Sequence, residues 1–160
     1  MNIKETLSRC ELFLGLDDSD IQKIVDLPSC TAKNYSDQEV IFKGGEGAKH
    51  LYIVKEGKVS LILRLPDSVA GEARQAVWRT VTRGGIFGWS SLVPPHFRIG
   101  SVVSDGPSTA VSIDGEELWA LFDRDTRLGY EVMKSLVRVI ASRVWNIEKL
   151  LATGYRSPFV

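Results

Sequence analysis

Cysteine and histidine are scarce in this chain. There are two of each, Cys10, Cys30, His50 and His96, in no CxxC or other metal-ligand spacing. That excludes a disulfide framework and leaves no Cys/His metal set, so the two thiols read as reduced, partly buried small residues of a cytoplasmic protein. Charge of one sign is lacking as well: 20 basic side chains are cancelled by 20 acidic ones, and the pI is near 6.7. Such a chain has no broad positive field of the kind nucleic-acid binding uses, which leaves only a local patch open for that role. No apolar run approaches the ~18 residues of a membrane span, and the start MNIKETLSRCELF lacks the pattern of a signal peptide. Neither histidine has a paired nucleophile, and no two carboxylates sit in catalytic spacing, so no enzymatic function is expected.

What is present suits one soluble domain with an appended helical element: 160 residues, 44% hydrophobic and 25% charged. The segment LSRCELFLGLDDSDIQKIVDL reads as helical, with Asp17 or Asp18 as cap and Ile21, Ile24 and Val25 on the inner face, ended by Pro28. From Thr31 the apolar period changes to two. LYIVKEGKVSLIL reads as a hairpin of Leu51–Val54 and Val59–Leu63, with Gly57 near the turn supplying a positive φ. The stretch 65–75 reads as a loop, AVWRTVT as a returning strand, and IGSVVS and TAVSID as two more short strands. Many short strands with glycine-rich turns predict an antiparallel barrel or sandwich.

Near Asp114 the pattern turns helical again. DGEELWALFDRD predicts a short helix capped by Asp114, with Glu117 three residues on. A long helix is predicted over about 128–152. In it Met133, Val137, Ile140, Val144, Ile147 and Leu151 recur at alternating spacings of four and three, a heptad seam. About 24 residues at ~1.5 Å each span roughly 36 Å, more than a small barrel covers. We therefore expect the seam to dimerise, self-packing on the chain's own barrel being the alternative.

The densest run of permissive and polar residues is GGIFGWSSLVPPHFRIGSV, from Gly84 to Val102. On spacing alone its Arg98 reads as a surface ion pair, to Glu46 for example. The register from Phe87 to Ser101, however, resembles without a gap the phosphate-binding cassette of the cyclic nucleotide-binding domain superfamily, the type found in catabolite activator protein and the regulatory subunit of protein kinase A. GGEGAKHLYIVKEGKVSL similarly resembles that superfamily's glycine-glutamate turn and its hairpin around a near-obligatory glycine, here Gly57. The resemblance runs from about Leu7 to Leu151. It implies an α+β, mainly β fold: an antiparallel β roll of jelly-roll type with N-terminal helices and a long C-terminal helix.

The resemblance also implies a ligand site of Phe87, Gly88, Trp89, Ser90, Ser91, Arg98, Ile99 and Ser101. Gly88 admits close backbone approach, the turn at Trp89–Leu92 presents amides to an anion, and Arg98 supplies a charge that does not titrate. For the three serines, turn or cap chemistry is at least as good an account as ligand contact. One departure is large. Trp89 stands where the superfamily has the glutamate that accepts a ribose hydroxyl, and indole accepts no hydrogen bond. Trp89 is then a plug, a stacking surface for a different ligand, or core. A bacterial branch carries tryptophan at this place, so the implied ligand is a cyclic nucleotide or another small anion. The expected organisation is residues 1–127 as helices plus β roll, 128–152 as a dimerisation helix and 153–160 as a tail, with no helix-turn-helix and no membrane contact. The expected function is a regulatory sensor that signals through a homodimer. A ligand-free structural module is the alternative.

Overall fold

The computed structural model describes residues 2–64 and 75–152. The loop expected over 65–75 lies almost wholly outside these residues. So do the tail residues Tyr155, Arg156, Pro158 and Phe159 and the side chain of Leu151. Two short helices open the chain. In α1 (Ile3–Ser8), Asn2 and Glu5 cap one another reciprocally, side chain to backbone. In α2 (Asp18–Val25), Asp17 is the cap, accepting from the amide of Asp20 at 2.9 Å.

Eight strands follow: β1 (Thr31–Tyr35), β2 (Val40–Phe42), β3 (His50–Glu56), β4 (Lys58–Arg64), β5 (Gln75–Thr82), β6 (Ile86–Phe87), β7 (Ser101–Ser104) and β8 (Ser108–Asp114). They form two antiparallel four-stranded sheets, ordered β1-β8-β3-β6 and β2-β7-β4-β5. The predicted β roll is the fold observed, but β3 and β4 do not form the predicted hairpin: β3 pairs with β6 and β8, β4 with β5 and β7, and the chain passes from one sheet to the other at Gly57, whose φ is +75°.

The run Leu51–Val54 is apolar on both parities because β3 is covered on both faces. Leu51 and Ile53 point into a cluster beneath the helices, with Leu7, Phe13, Ile24, Leu118 and Val132. Tyr52 and Val54 point between the sheets, with Phe42, Val59 and Phe87. Both cysteines are free and buried, and burial pushes the Cys10 thiol up to about 12 and that of Cys30 to about 11. At neutral pH such thiols are not nucleophiles.

Two helices close the chain, α3 (Gly115–Arg124) and α4 (Thr126–Ala152). Asp114 caps α3, but Glu117 does not complete a capping box. Its carboxylate instead accepts from the backbone and hydroxyl of Ser29, at 3.1 and 2.7 Å, and ties α3 to the segment before β1. On α4, Leu128, Val132, Leu136 and Val139 are buried in the helix-side core, a stripe beside the predicted seam. Met133 and Ile140 pack half-buried against that core, while Val137 (65% exposed), Val144 and Trp145 face solvent. Self-packing thus uses one face of α4 and leaves a second apolar face open.

Asp20 pins α2 to α4. Its buried carboxylate accepts from Arg127 at 2.6 Å and Lys23 at 3.3 Å. The hydrogen bond from Arg127 holds its pKa below the usual carboxylate value against the opposing effect of burial, with Lys23 assisting. A depressed folded pKa means that this stabilisation is complete above the unfolded value of about 3.9 and is lost as pH falls through the folded value. Urea unfolding between pH 2.5 and 7 should therefore show wild-type stability falling below about pH 4. Asp20→Asn should be less stable at neutral pH and lose less across the acid range. Parallel curves for the two proteins would remove Asp20 from this role.

Candidate functional site

The cassette region is built from the turn after β6. Gly88 adopts φ +72°, ψ 22°, a left-handed conformation that turns the chain into a single 3₁₀ turn over Trp89–Ser91. Ser91 closes it, its amide and its hydroxyl both donating to the carbonyl of Gly88, at 3.1 and 3.0 Å. His96 reaches back from the following loop, its Nδ1 3.2 Å from the carbonyl oxygens of Ser90 and Ser91.

Backbone pairing with the glycine-rich loop after β2 holds the segment carrying Arg98. Gly45 donates to the carbonyl of Arg98 at 2.7 Å, Arg98 donates to Glu46 at 2.9 Å, and Ala48 donates to His96 at 2.7 Å. Ser101 joins the same seam, its hydroxyl accepting from the amide of Gly44 at 3.0 Å. The glycine-rich start of the first stretch singled out in the sequence, Gly44–Lys49, and the second, Phe87–Ser101, are thus one structural unit.

Arg98 is 4% exposed and turns inward. Its Nη2 donates to the carbonyl of His50 at 2.6 Å, and its guanidinium lies 4.1 Å from the centroid of Phe42 and 5.9 Å from that of Tyr52. Tyr52 stacks on Phe87 with centroids 4.9 Å apart and planes 8° from parallel, and Phe42 lies 6.1 Å from Phe87. The arginine is thus framed by an aromatic trio within the roll and held by cation–π contact. Its Nη1 is buried without a hydrogen-bond partner among the described residues. A methyl group on Gly88 would come within 2.5 Å of that nitrogen, so the glycine is what gives it room. Burial lowers the guanidinium pKa, opposed by Tyr52 and Glu46. An arginine so shifted remains a cation at neutral pH. No ion pair joins Arg98 to Glu46, whose carboxylate accepts instead from the amide of Lys43 at 3.1 Å.

The other predicted site residues divide. Phe87, Gly88 and Arg98 come together around the aromatic trio. Ser91 is buried and Ser90 half-buried in the turn. Trp89 packs half-buried against the helix-side core. Ile99 is 85% exposed. Sequence reasoning missed Phe42, His50 and Tyr52. Tyr52 carried a signal in the alternation of β3, where its parity sets it opposite Leu51 and Ile53; Phe42 and the His50 carbonyl carried none.

Comparison with known proteins follows this geometry. A family model described as the cyclic nucleotide-binding domain matches residues 32–125. The CRP-like cAMP-activated global transcriptional regulator of Mycobacterium tuberculosis is 28% identical over 150 residues, covering 92% of this chain and 61% of the regulator. The chain therefore spans about three fifths of the length of the curated relatives it matches. A cyclic nucleotide-binding domain from Methylobacillus flagellatus superposes with a TM-score of 0.79 at 16% identity, covering 99% of this chain and 85% of that one. The catabolite activator protein of Thermus thermophilus superposes with a TM-score of 0.71 at 24% identity, covering 89% and 62%. The two structures share the fold, and the family match takes in the β roll together with its Arg98 cassette. The chain belongs to the cyclic nucleotide-binding domain family.

Proposed function

We propose that this chain is a regulatory sensor domain that holds a small anion at Arg98 and signals through a homodimer formed along α4. The observation that carries the ligand half is the Nη1 of Arg98, a buried donor on a permanent cation with no partner among the described residues, beside a glycine that keeps the space around it clear. A buried charge without a counter-charge costs several kcal/mol unless something compensates it. The carbonyl and aromatic contacts made here compensate in part, and an anion completes the set.

The relative named as cAMP-activated makes a cyclic nucleotide the first ligand to test. Trp89 argues against tight binding of it. With no carboxylate at that position, cyclic AMP loses one charge-assisted hydrogen bond, worth ~1.5–3 kcal/mol, or roughly a ten- to two-hundred-fold loss of affinity. A second reading has its own support: the His50 carbonyl and the Phe42 face already occupy much of Arg98, as they would in a sealed module that only assembles.

A thermal-shift screen separates the two. Cyclic mononucleotides, cyclic dinucleotides, organic acids and simple anions are compared on wild type and Arg98→Gln. For the sensor, at least one anion at about 100 times its Kd adds ~2.7 kcal/mol, and Arg98→Gln abolishes the shift. Cyclic AMP should act weakly on wild type. Sub-micromolar cyclic AMP affinity would refute the Trp89 argument. A screen with no Arg98-dependent shift would leave the sealed module.

A further inference from the structure

A second cluster of cations lies where α4 meets the turn between β5 and β6. Arg79 is on β5, Arg83 in that turn, Arg9 at the end of α1, and Arg143 on α4. Arg9, Glu11, Arg79, Thr80, Arg83 and Gly85 help line a recess of about 340 Å³ there. Arg143 joins it through Glu11, its Nη2 lying 3.5 Å from that carboxylate and 3.1 Å from the carbonyl of Ile86.

Among the described residues Glu11 is the single acidic one lining the recess, and its oxygen already accepts from the amide of Ile86 at 2.9 Å. Among the described residues Arg9, Arg79 and Arg83 make no ion pair. The Nε of Arg143 is buried without a partner among the described residues. Burial and then Arg79 press its pKa down to about 10, with Glu11 opposing. In a chain of zero net charge, four arginines around one glutamate among the described residues is a local excess that composition does not explain.

We propose that this recess is a second anion site, sharing no residue with the Arg98 cassette, that takes a diphosphate-bearing small molecule and clamps α4 to the roll. Guanidinium forks match phosphate oxygens two at a time. Three unpaired forks ask for about three negative charges, more than one phosphate group carries and close to what a diphosphate carries. Thr80, which also lines the recess, carries a hydroxyl that can add a neutral donor. Because Arg143 belongs to α4 and the other arginines to α1 and the β5–β6 region, the bound anion bridges separate elements. It stabilises whichever position of α4 keeps them together.

The test is a titration of the full chain with inorganic pyrophosphate, followed by amide and arginine Nε–H resonances at about 0.1 M salt. Saturable shifts at Thr82–Gly85 and at Arg143 are expected, with affinity at least about tenfold above that for inorganic phosphate. Arg79→Gln with Arg83→Gln should weaken pyrophosphate by about tenfold or more, and Arg98→Gln should leave it unchanged. Arg9→Gln with Arg83→Gln replaces two exposed side chains and gives the same readout on an undisturbed fold. A nucleoside diphosphate of higher affinity than pyrophosphate would place the natural source among nucleotides; equal affinity would place it with the free diphosphate. Shifts confined to Gly88–Ile99, shifts that never saturate, or full binding by both double variants would overturn the site. None of these results depends on whether the Arg98 cassette binds anything.

Discussion

A chain carrying Val137→Glu and Val144→Glu should run as a folded monomer where the parent runs as a homodimer. Both valines are exposed on α4 in the single chain, next to exposed Trp145 and partly exposed Ile147. Neither belongs to the helix-side core, which uses Leu128, Val132, Leu136 and Val139. Carboxylates there cost the monomer almost nothing, since surface substitutions away from special features change stability by about 0.5 kcal/mol or less. In a twofold interface, each substitution places two uncompensated charges in one apolar strip. An unpaired buried charge costs about 3–5 kcal/mol, so the dissociation constant should rise by roughly a hundred- to several-thousand-fold. Ile140, on the same predicted seam, is a poorer probe because it packs against the chain's own core. Light scattering at micromolar concentration reads the mass, and a far-UV thermal melt reads the fold. A monomeric parent would reject the dimer; an unfolded variant would move this face of α4 into the intramolecular core.

Gly57→Ala should lower stability by about 2–5 kcal/mol, a fall in Tm of roughly 4–20 °C for a chain of this size. The residue sits at φ +75°, where a β-carbon is disfavoured by about 1–2 kcal/mol. That β-carbon would also lie 2.6 Å from the carbonyl of Pro107, 2.6 Å from the Ser108 hydroxyl and 2.9 Å from the Ser108 α-carbon. Two of these atoms are backbone, so the start of β8 has to move. Gly88→Ala makes the informative contrast. Its φ is similar, but its nearest obstacle is the far end of the Arg98 side chain. The alanine there should displace the guanidinium and abolish the anion response at a smaller cost in stability. Calorimetry of both variants, with the anion screen repeated on each, checks the pair. Equal losses of stability and of response in the two would remove the distinction.

The strands and helices were legible where chemistry acts over a few residues. Asp17 and Asp114 cap helices because a short acceptor just ahead of a helical run satisfies amides that are otherwise free. Gly57 marks a sharp turn because positive φ excludes most other residues, but the sequence reads that turn as a hairpin where the structure has a passage between sheets. Glu117 shows the limit of such reasoning. Its spacing from Asp114 fits a capping box, yet Ser29, some ninety residues away in the chain, offers a hydroxyl and an amide together and takes the carboxylate. The heptad spacing of α4 shows another limit. Periodicity identifies an apolar stripe but not the surface that covers it, and here two stripes lie side by side, one buried and one exposed.

By itself the sequence determined the succession of helical and strand periods, the antiparallel barrel-or-sandwich class, the cap at Asp114, the positive φ at Gly57 and the gapless register from Phe87 to Ser101. Each rests on period, spacing or the conformational freedom of a single residue, which a linear string records in full. Only the tertiary structure decided that Arg98 is buried against Phe42 and the His50 carbonyl, rather than paired with Glu46 at the surface. It alone packed Trp89 on the helix-side core, chose the face of α4 that remains apolar and exposed, and gathered three arginines from α1 and the β5–β6 region around one recess, with Arg143 of α4 on its Glu11. The reason is common to all four. A charge or an apolar face takes its energy from the groups that surround it in space, and those groups come from segments that no local spacing connects.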